Sequence, residues 1–295
     1  MPELIVRAQN GKEWPLKLWC LPTNYYFPLP DTTVLEQPAE RARVWPEEPH
    51  PMPGIDWRPE AQVELCTEVF AGQTPISFPK EAAPGVPEYA QDSRRYPWVD
   101  AWVLQAFLRH LQPSRVVEVG AGYSSLITAR VNNEFLNGQM HFTAIDPNPL
   151  EFLERDIPGL TEMRPERVQD TPLEVFEQLG PNDLLFIDTS HALKTGGDVV
   201  WIYNQILPRL APGVIVHLHD CFMPWDYPEQ WVFAGKGWNE QYMMQSFLVW
   251  NSAFEVLFGT HWMMRRHWDL LRRAFPDLVE EDRHREGSSL WIRRV

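Results

Sequence analysis

Cysteine is scarce in this chain. Cys20, Cys66 and Cys221 stand far apart with no C-x-x-C pair, so the chain offers neither a disulfide framework nor a thiolate zinc site. Such usage fits a reducing compartment. Long apolar runs are missing too. None approaches the ~20 residues of a membrane span, and the first residues lack the charged and apolar regions of a signal peptide. Basic residues are in the minority, 26 Lys and Arg against 40 Asp and Glu, for a formal charge of −14. A phosphate backbone needs the opposite sign, so a nucleic-acid partner is not expected. The one basic cluster, "MMRRHWDLLRRAF" (263–275), reads as the solvated face of an amphipathic helix, with Trp268, Leu271 and Phe275 inward. No internal repeat is visible. These absences leave a cytoplasmic soluble protein, and they admit a homo-oligomer.

Proline is abundant but unevenly placed. Fifteen of the 28 prolines precede residue 96, and that stretch cannot hold long helices, because proline removes a donor and blocks the preceding turn. It is too rich in Tyr, Phe and Trp to be a disordered tail. Residues 1–95 therefore read as an irregular N-terminal extension with a short helix near "RPEAQVELCTEVF". From residue 96 to 295 the pattern alternates. "WVDAWVLQAFLRHL" predicts a helix, "RVVEVG" a strand, and "SSLITARVNNEFL" a helix; "MHFTAID" is a strand, "PLEFLERDI" a helix, and "ERVQD" (166–170) a short third strand. "PLEVFEQLG" and "GGDVVWIYNQILPRL" are helices around the strand "DLLFID", and "GVIVHLHD" is the fifth strand. After the helix "QYMMQSFLVWN", "FEVLFGTHW" and "SSLWIRRV" predict two closing strands. The alternation implies a parallel sheet with helices on both faces, and its end implies an antiparallel pair.

The turn "VVEVGAGYSS" (116–125) is the clearest chemical signal. In open α/β sheets ligands sit at the carboxyl ends of the strands, where the strand order reverses. Gly120 and Gly122 let a ligand approach the backbone there. A dinucleotide site wants a third glycine at position 125, where this chain has Ser. Glu118 would repel a pyrophosphate but suits a ligand with an ammonium group. Asp146, closing the second strand, is placed to accept from ribose hydroxyls. An acid for ammonium and an acid for ribose together describe S-adenosylmethionine better than NAD. Tyr123 and Ser124 complete the turn, and Gln169 and Asp170 are candidates for adenine contact.

Residues 96–295 resemble class I S-adenosylmethionine-dependent methyltransferases. More narrowly, "VVEVGAGYSS", "AIDPNP", "LLFIDTSH" and "VIVHLHDCFMPWDYP" resemble a bacterial small-molecule family related to macrolide sugar O-methyltransferases. The resemblance implies a Rossmann-like seven-stranded α/β sheet with an antiparallel last strand, and methyl transfer from S-adenosylmethionine.

Methyl transfer to a hydroxyl requires positioning and removal of a proton. Asp188, His191, His219 and Asp220 cluster at the ends of the fourth and fifth strands. In one mechanism Asp188, His219 and Asp220 bind a divalent cation and His191 takes the proton. The resembled enzymes use an Asp-x-x-His, matched here by Asp188 and His191, and two further acidic or amide ligands after the fifth strand, where this chain has His219 and Asp220. Magnesium prefers oxygen, so the histidine leaves manganese, iron or no metal open. In a second mechanism no metal binds, and His191 or His219 is a base oriented by a carboxylate, which also suits N-methylation of an amine or imidazole. A non-catalytic scaffold is the remaining alternative. His217 reads as a satisfied core histidine. Met223, Trp225, Tyr227 and Trp231 in the loop after the fifth strand are candidates for the acceptor wall, with Tyr25 and Tyr26 as a cap from the extension.

Overall fold

The computed structural model describes residues 3–7, 13–17, 28–74, 76–83, 86–93, 95–285 and 287–295. Cys20, Tyr25 and Tyr26 lie outside the described residues. Two compact units emerge: residues 1–50 with 225–237, and residues 51–224 with 238–295. The division falls at residue 50, whereas the change in proline content falls near 95.

In the first unit, β1 (Glu3–Arg7) and β2 (Glu13–Lys17) pair as an antiparallel hairpin. Asp31 caps the short helix Thr32–Leu35 by accepting from the Thr33 N–H. Pro38 opens the helix Pro38–Val44 at a position where its missing donor costs nothing. The indole of Trp45 donates to the Tyr227 carbonyl at 2.8 Å, that of Trp225 to the Glu47 carbonyl at 3.3 Å, and Arg41 pairs with Glu229 at 2.5 Å. The segment 225–237 is thus tied to residues 41–47.

The second unit holds a seven-stranded sheet. Its strands are β3 (Arg115–Val119), β4 (His141–Ile145), β5 (Glu162–Arg164), β6 (Leu184–Ile187), β7 (Ile215–Leu218), β8 (Phe254–Gly259) and β9 (Leu290–Arg294). The order across the sheet is β5-β4-β3-β6-β7-β9-β8. Every pairing from β5 to β7 is parallel, and β9 runs antiparallel to both neighbours. This is the expected Rossmann-like arrangement. β3, β6 and β7 are apolar apart from Arg115, Glu118 and His217, because helices cover both faces and nearly every side chain is buried. The helix Trp98–Leu111 is buried from Trp98 through Leu108, and Tyr123–Phe135 follows β3 directly.

Three local expectations need correction. The third strand is Glu162–Arg164, while residues 166–170 form a turn closed by Asp170 N–H donating to the Arg167 carbonyl. An edge strand of three half-buried residues has no apolar pattern to read. "PLEFLERDI" gives only the 3-10 turn Glu151–Glu154, since Pro149 and Pro158 bracket it. The basic segment 263–275 contains two helices, Thr260–Arg266 and Trp268–Ala274, broken at His267. Its inward face is as expected, with Trp268, Leu271 and Phe275 buried. No helix among the described residues is long and apolar enough to cross a membrane.

Candidate active site

β3 has β4 on one side and β6 on the other, so the chain reverses its direction across the sheet between β3 and β6. The glycine turn sits at that point. Gly120 has a φ of +90°, its N–H donates to the Ile145 carbonyl, and a Cβ there would lie 1.6 Å from the Asp188 carbonyl oxygen. Only glycine fits. At Gly122 a Cβ would meet nothing within 4 Å, so that side of the turn faces open space. Ser125, the departure from a dinucleotide pattern, accepts the Gly122 N–H at 3.0 Å. It closes the turn onto the helix Tyr123–Phe135, whose first ring, Tyr123, lies 5.5 Å from Phe152.

Glu118 is 1% exposed beneath this turn. Ser124 Oγ donates to its Oε1 at 2.5 Å, while Oε2 has no hydrogen-bond partner. Burial pushes the carboxyl up to about 8, against the hydroxyls of Ser124 and Ser125, with Asp188 and Asp146 adding to the rise. A buried acceptor oxygen without a donor is costly and calls for a ligand to supply one. Asp146 accepts from the Ala121 N–H at 3.2 Å and the Asn148 N–H at 2.7 Å, so it ties the glycine turn to the end of β4. Gln169 donates to the Gly196 carbonyl at 3.0 Å. Asp170 is exposed and held by Arg167 at 2.7 and 2.9 Å.

The second cluster gathers at the carboxyl ends of β6 and β7. Asp188 follows β6, and His219 and Asp220 follow β7. His191, at φ +53°, turns back toward them. Its Nε2 lies 3.1 Å from Asp188 Oδ1 and 3.5 Å from Asp220 Oδ2, and its Nδ1 lies 2.9 Å from Glu240 Oε2. Burial by itself would push this imidazole down. The bonds to Asp188 and Glu240 outweigh it and lift the value to about 10. His219 lies on the other side of the same carboxylates, its Nδ1 3.7 Å from Asp188 Oδ2 and 3.6 Å from Asp220 Oδ1, its Nε2 3.7 Å from Asp100 Oδ2. Neither nitrogen makes a hydrogen bond. Despite burial, the Asp220 and Asp188 charges hold His219 well above the usual imidazole range. Asp220, itself at φ +52°, accepts from Ser288 Oγ at 3.0 Å. Burial would raise its carboxyl, but the two histidines keep it low.

Asp188, His191 and Asp220 each offer a ligand atom, and these atoms lie within 4.8 Å of one another. The predicted metal set had His219 in place of His191. Asp100 and Glu240 join the cluster without having been singled out in the sequence. Asp100 was legible in principle, as an acid inside the apolar helix "WVDAWVLQAF" must find partners. It accepts from the N–H groups of Ser288 and Ser289 at 2.9 and 3.1 Å. Glu240 lies 49 positions from its partner His191 and left no local signal. His217 is buried with both nitrogens lacking hydrogen bonds, its ring stacked 3.9 Å from Phe186, so it is a core histidine but not a satisfied one. Met223 packs in the apolar core with Cys221 and Met244. Trp225, Tyr227 and Trp231 belong to the first compact unit, where Lys236 covers the Trp231 ring at 3.4 Å.

Residues 117–221, about a third of the chain, match the family model of a methyltransferase domain. An uncharacterized protein of Archaeoglobus fulgidus is 29% identical over 186 residues, covering 60% of this chain and 78% of that one. Among solved structures, the O-methyltransferase TomG of Streptomyces achromogenes, involved in tomaymycin synthesis and bound to S-adenosylmethionine, is 16% identical. It aligns with 65% of this chain and 78% of its own at a TM-score of 0.38. The Podospora anserina methyltransferase PaMTH1, bound to S-adenosylhomocysteine, is 15% identical and aligns with 92% of this chain and 99% of its own at 0.41. Residues 117–221 thus carry a methyltransferase domain.

Proposed function

We propose that this methyltransferase domain moves the sulfonium methyl of S-adenosylmethionine to a hydroxyl of a small-molecule acceptor. The observation that carries the reading is Asp188. Its carbonyl abuts Gly120 in the glycine turn, and its carboxylate meets His191 at 3.1 Å. Donor pocket and reacting groups therefore adjoin, which suits the proximity an in-line displacement needs. On the donor side the unpartnered Oε2 of Glu118 suits the cofactor's ammonium. The opening at Gly122 admits its chain, and Asp146 faces its ribose. Asp188, Gln169 and Asp170 are the remaining contacts of this reading.

On the acceptor side, two carboxylates and an imidazole nitrogen within 4.8 Å of one another form a donor set that fits a divalent cation. The buried, unpartnered Nδ1 of His219 points into the same space. Asp188 and Asp220 would hold the ion with one of the two histidines. When bound it would lower the pKa of a coordinated hydroxyl. His191 as the base carries a condition. At about 10 it already carries a proton on both ring nitrogens in the cation-free arrangement, and it can serve as a base only after giving one up, once the charge of its carboxylate partners is met by a cation. A second reading, metal-free methylation of an amine, draws on the same carboxylates, which would hold a cationic acceptor.

S-adenosylhomocysteine should raise the melting temperature, by about 2.7 kcal/mol of stabilisation at a hundredfold excess over Kd. No shift with either cofactor form sinks the reading. Activity that survives exhaustive EDTA treatment favours the amine.

A further inference from the structure

Two imidazoles flank the carboxylates of Asp188 and Asp220, and their surroundings differ. His191 is held on every side. Its Nδ1 meets Glu240 Oε2 at 2.9 Å, its carbonyl accepts the N–H groups of Asn239 and Glu240 at 2.9 and 3.3 Å, and the Trp238 ring lies 4.4 Å from its own. His219 has no hydrogen bond at either nitrogen, and its nearest acceptors stand at 3.6 and 3.7 Å. With the Nδ1 proton committed to Glu240, the Nε2 of His191 faces two carboxylate oxygens at 3.1 and 3.5 Å. One ligand atom from each of Asp188, His191 and Asp220 lies within 4.8 Å of the others, close enough to share one cation. A carboxylate behind the distal nitrogen is the usual outer partner of a metal-bound histidine, fixing both ring and tautomer.

We infer that Glu240 is a positioning residue that presents His191 Nε2 as the nitrogen donor of a cation site shared with Asp188 and Asp220, so that the site prefers Mn2+ to Mg2+. The inference rests on the metal-assisted reading above and deepens it. It makes His191 the ligand in place of His219. Mg2+ favours all-oxygen, near-octahedral sites and keeps its waters, whereas a nitrogen donor favours the first-row ions.

The full chain, stripped of metal, is titrated with MnCl2 and separately with MgCl2 by calorimetry. Its Mn2+ form is then examined for electron spin-echo modulation from a directly bound imidazole nitrogen. Mn2+ should bind at least ~10-fold tighter than Mg2+. The nitrogen modulation should vanish in His191→Asn and persist in His219→Asn. Glu240→Ala should weaken Mn2+ by about 10–100-fold, and Glu240→Gln, which keeps an acceptor oxygen, by less. Modulation that follows His219, equal affinity for the two ions, or an unchanged Glu240→Ala overturns the inference. Should Glu240→Ala fail to fold, the spectra of the unmodified chain and the two histidine variants decide alone. S-adenosylhomocysteine binding is measured alongside. Cofactor binding without cation uptake sinks this inference only, while loss of both sinks the methyltransferase reading itself.

Discussion

Glu118 combines a buried carboxyl with an unpartnered oxygen, and both features have measurable consequences. With its folded value near 8 against an ordinary 4.5, the folded chain holds a proton that the unfolded chain has lost. Stability from this group is fully present below about 4.5 and fades as pH rises toward 8, at up to about 1.4 kcal/mol per unit. Denaturant midpoints of the ligand-free protein should therefore fall across that window, and Glu118→Gln should flatten the trend. The same variant should weaken S-adenosylmethionine by about 10–100-fold, the worth of a charge-assisted hydrogen bond. A flat profile in the unmodified chain would show that the carboxyl is ionised throughout. Gly120 gives the companion case. With φ +90° and a backbone oxygen 1.6 Å from any Cβ, Gly120→Ala combines strain with a clash that no side chain can relieve. It should cost at least about 1–3 kcal/mol of stability in urea titrations and abolish cofactor binding.

Among the elements, the loop 189–197 after β6 decides where His191 points. Asn239 Oδ1 accepts the Leu193 N–H at 2.6 Å, and the first amides of the helix Glu240–Leu248 meet the His191 carbonyl. Asn239→Ala removes one strut of this clamp. Hydrogen exchange in 189–197 should accelerate while the strands stay protected, with a loss of about 1 kcal/mol; unchanged exchange would assign the loop's order to other contacts. This level also shows what the sequence could and could not disclose. β3, β4, β6 and β7 were readable because covered parallel strands become mostly apolar, each followed within two residues by glycine or an acid. β5 was not, being short and half exposed. The glycine turn, Glu118, Asp146 and the Asp188–His191 pair all lie within local motifs. The contacts of Asp100 and Glu240 with those motifs are made only by the fold, and neither residue sits in a pattern that names its partner.

For the whole molecule the charge balance matters most. A formal charge of −14 repels polyanions at long range, and the arginines of the helices at 260–274 are too few to reverse it. The protein should pass through a heparin column at about 0.15 M salt, where the Debye length is about 8 Å. Retention would reveal a local basic surface strong enough to override the total.

The insertion of β9 between β7 and β8 has a consequence for biosynthesis. Among the described residues β8 hydrogen-bonds within the sheet to β9 alone, yet Phe254–Gly259 is synthesised before Leu290–Arg294. At about 5–20 residues per second the partner strand is made roughly two to six seconds later. During that interval half of the cradle around Asp100, Ser288 and Asp220 is also missing, because Ser288 and Ser289 arrive with β9. The charged cluster and the far edge of the sheet are therefore completed together by one short segment.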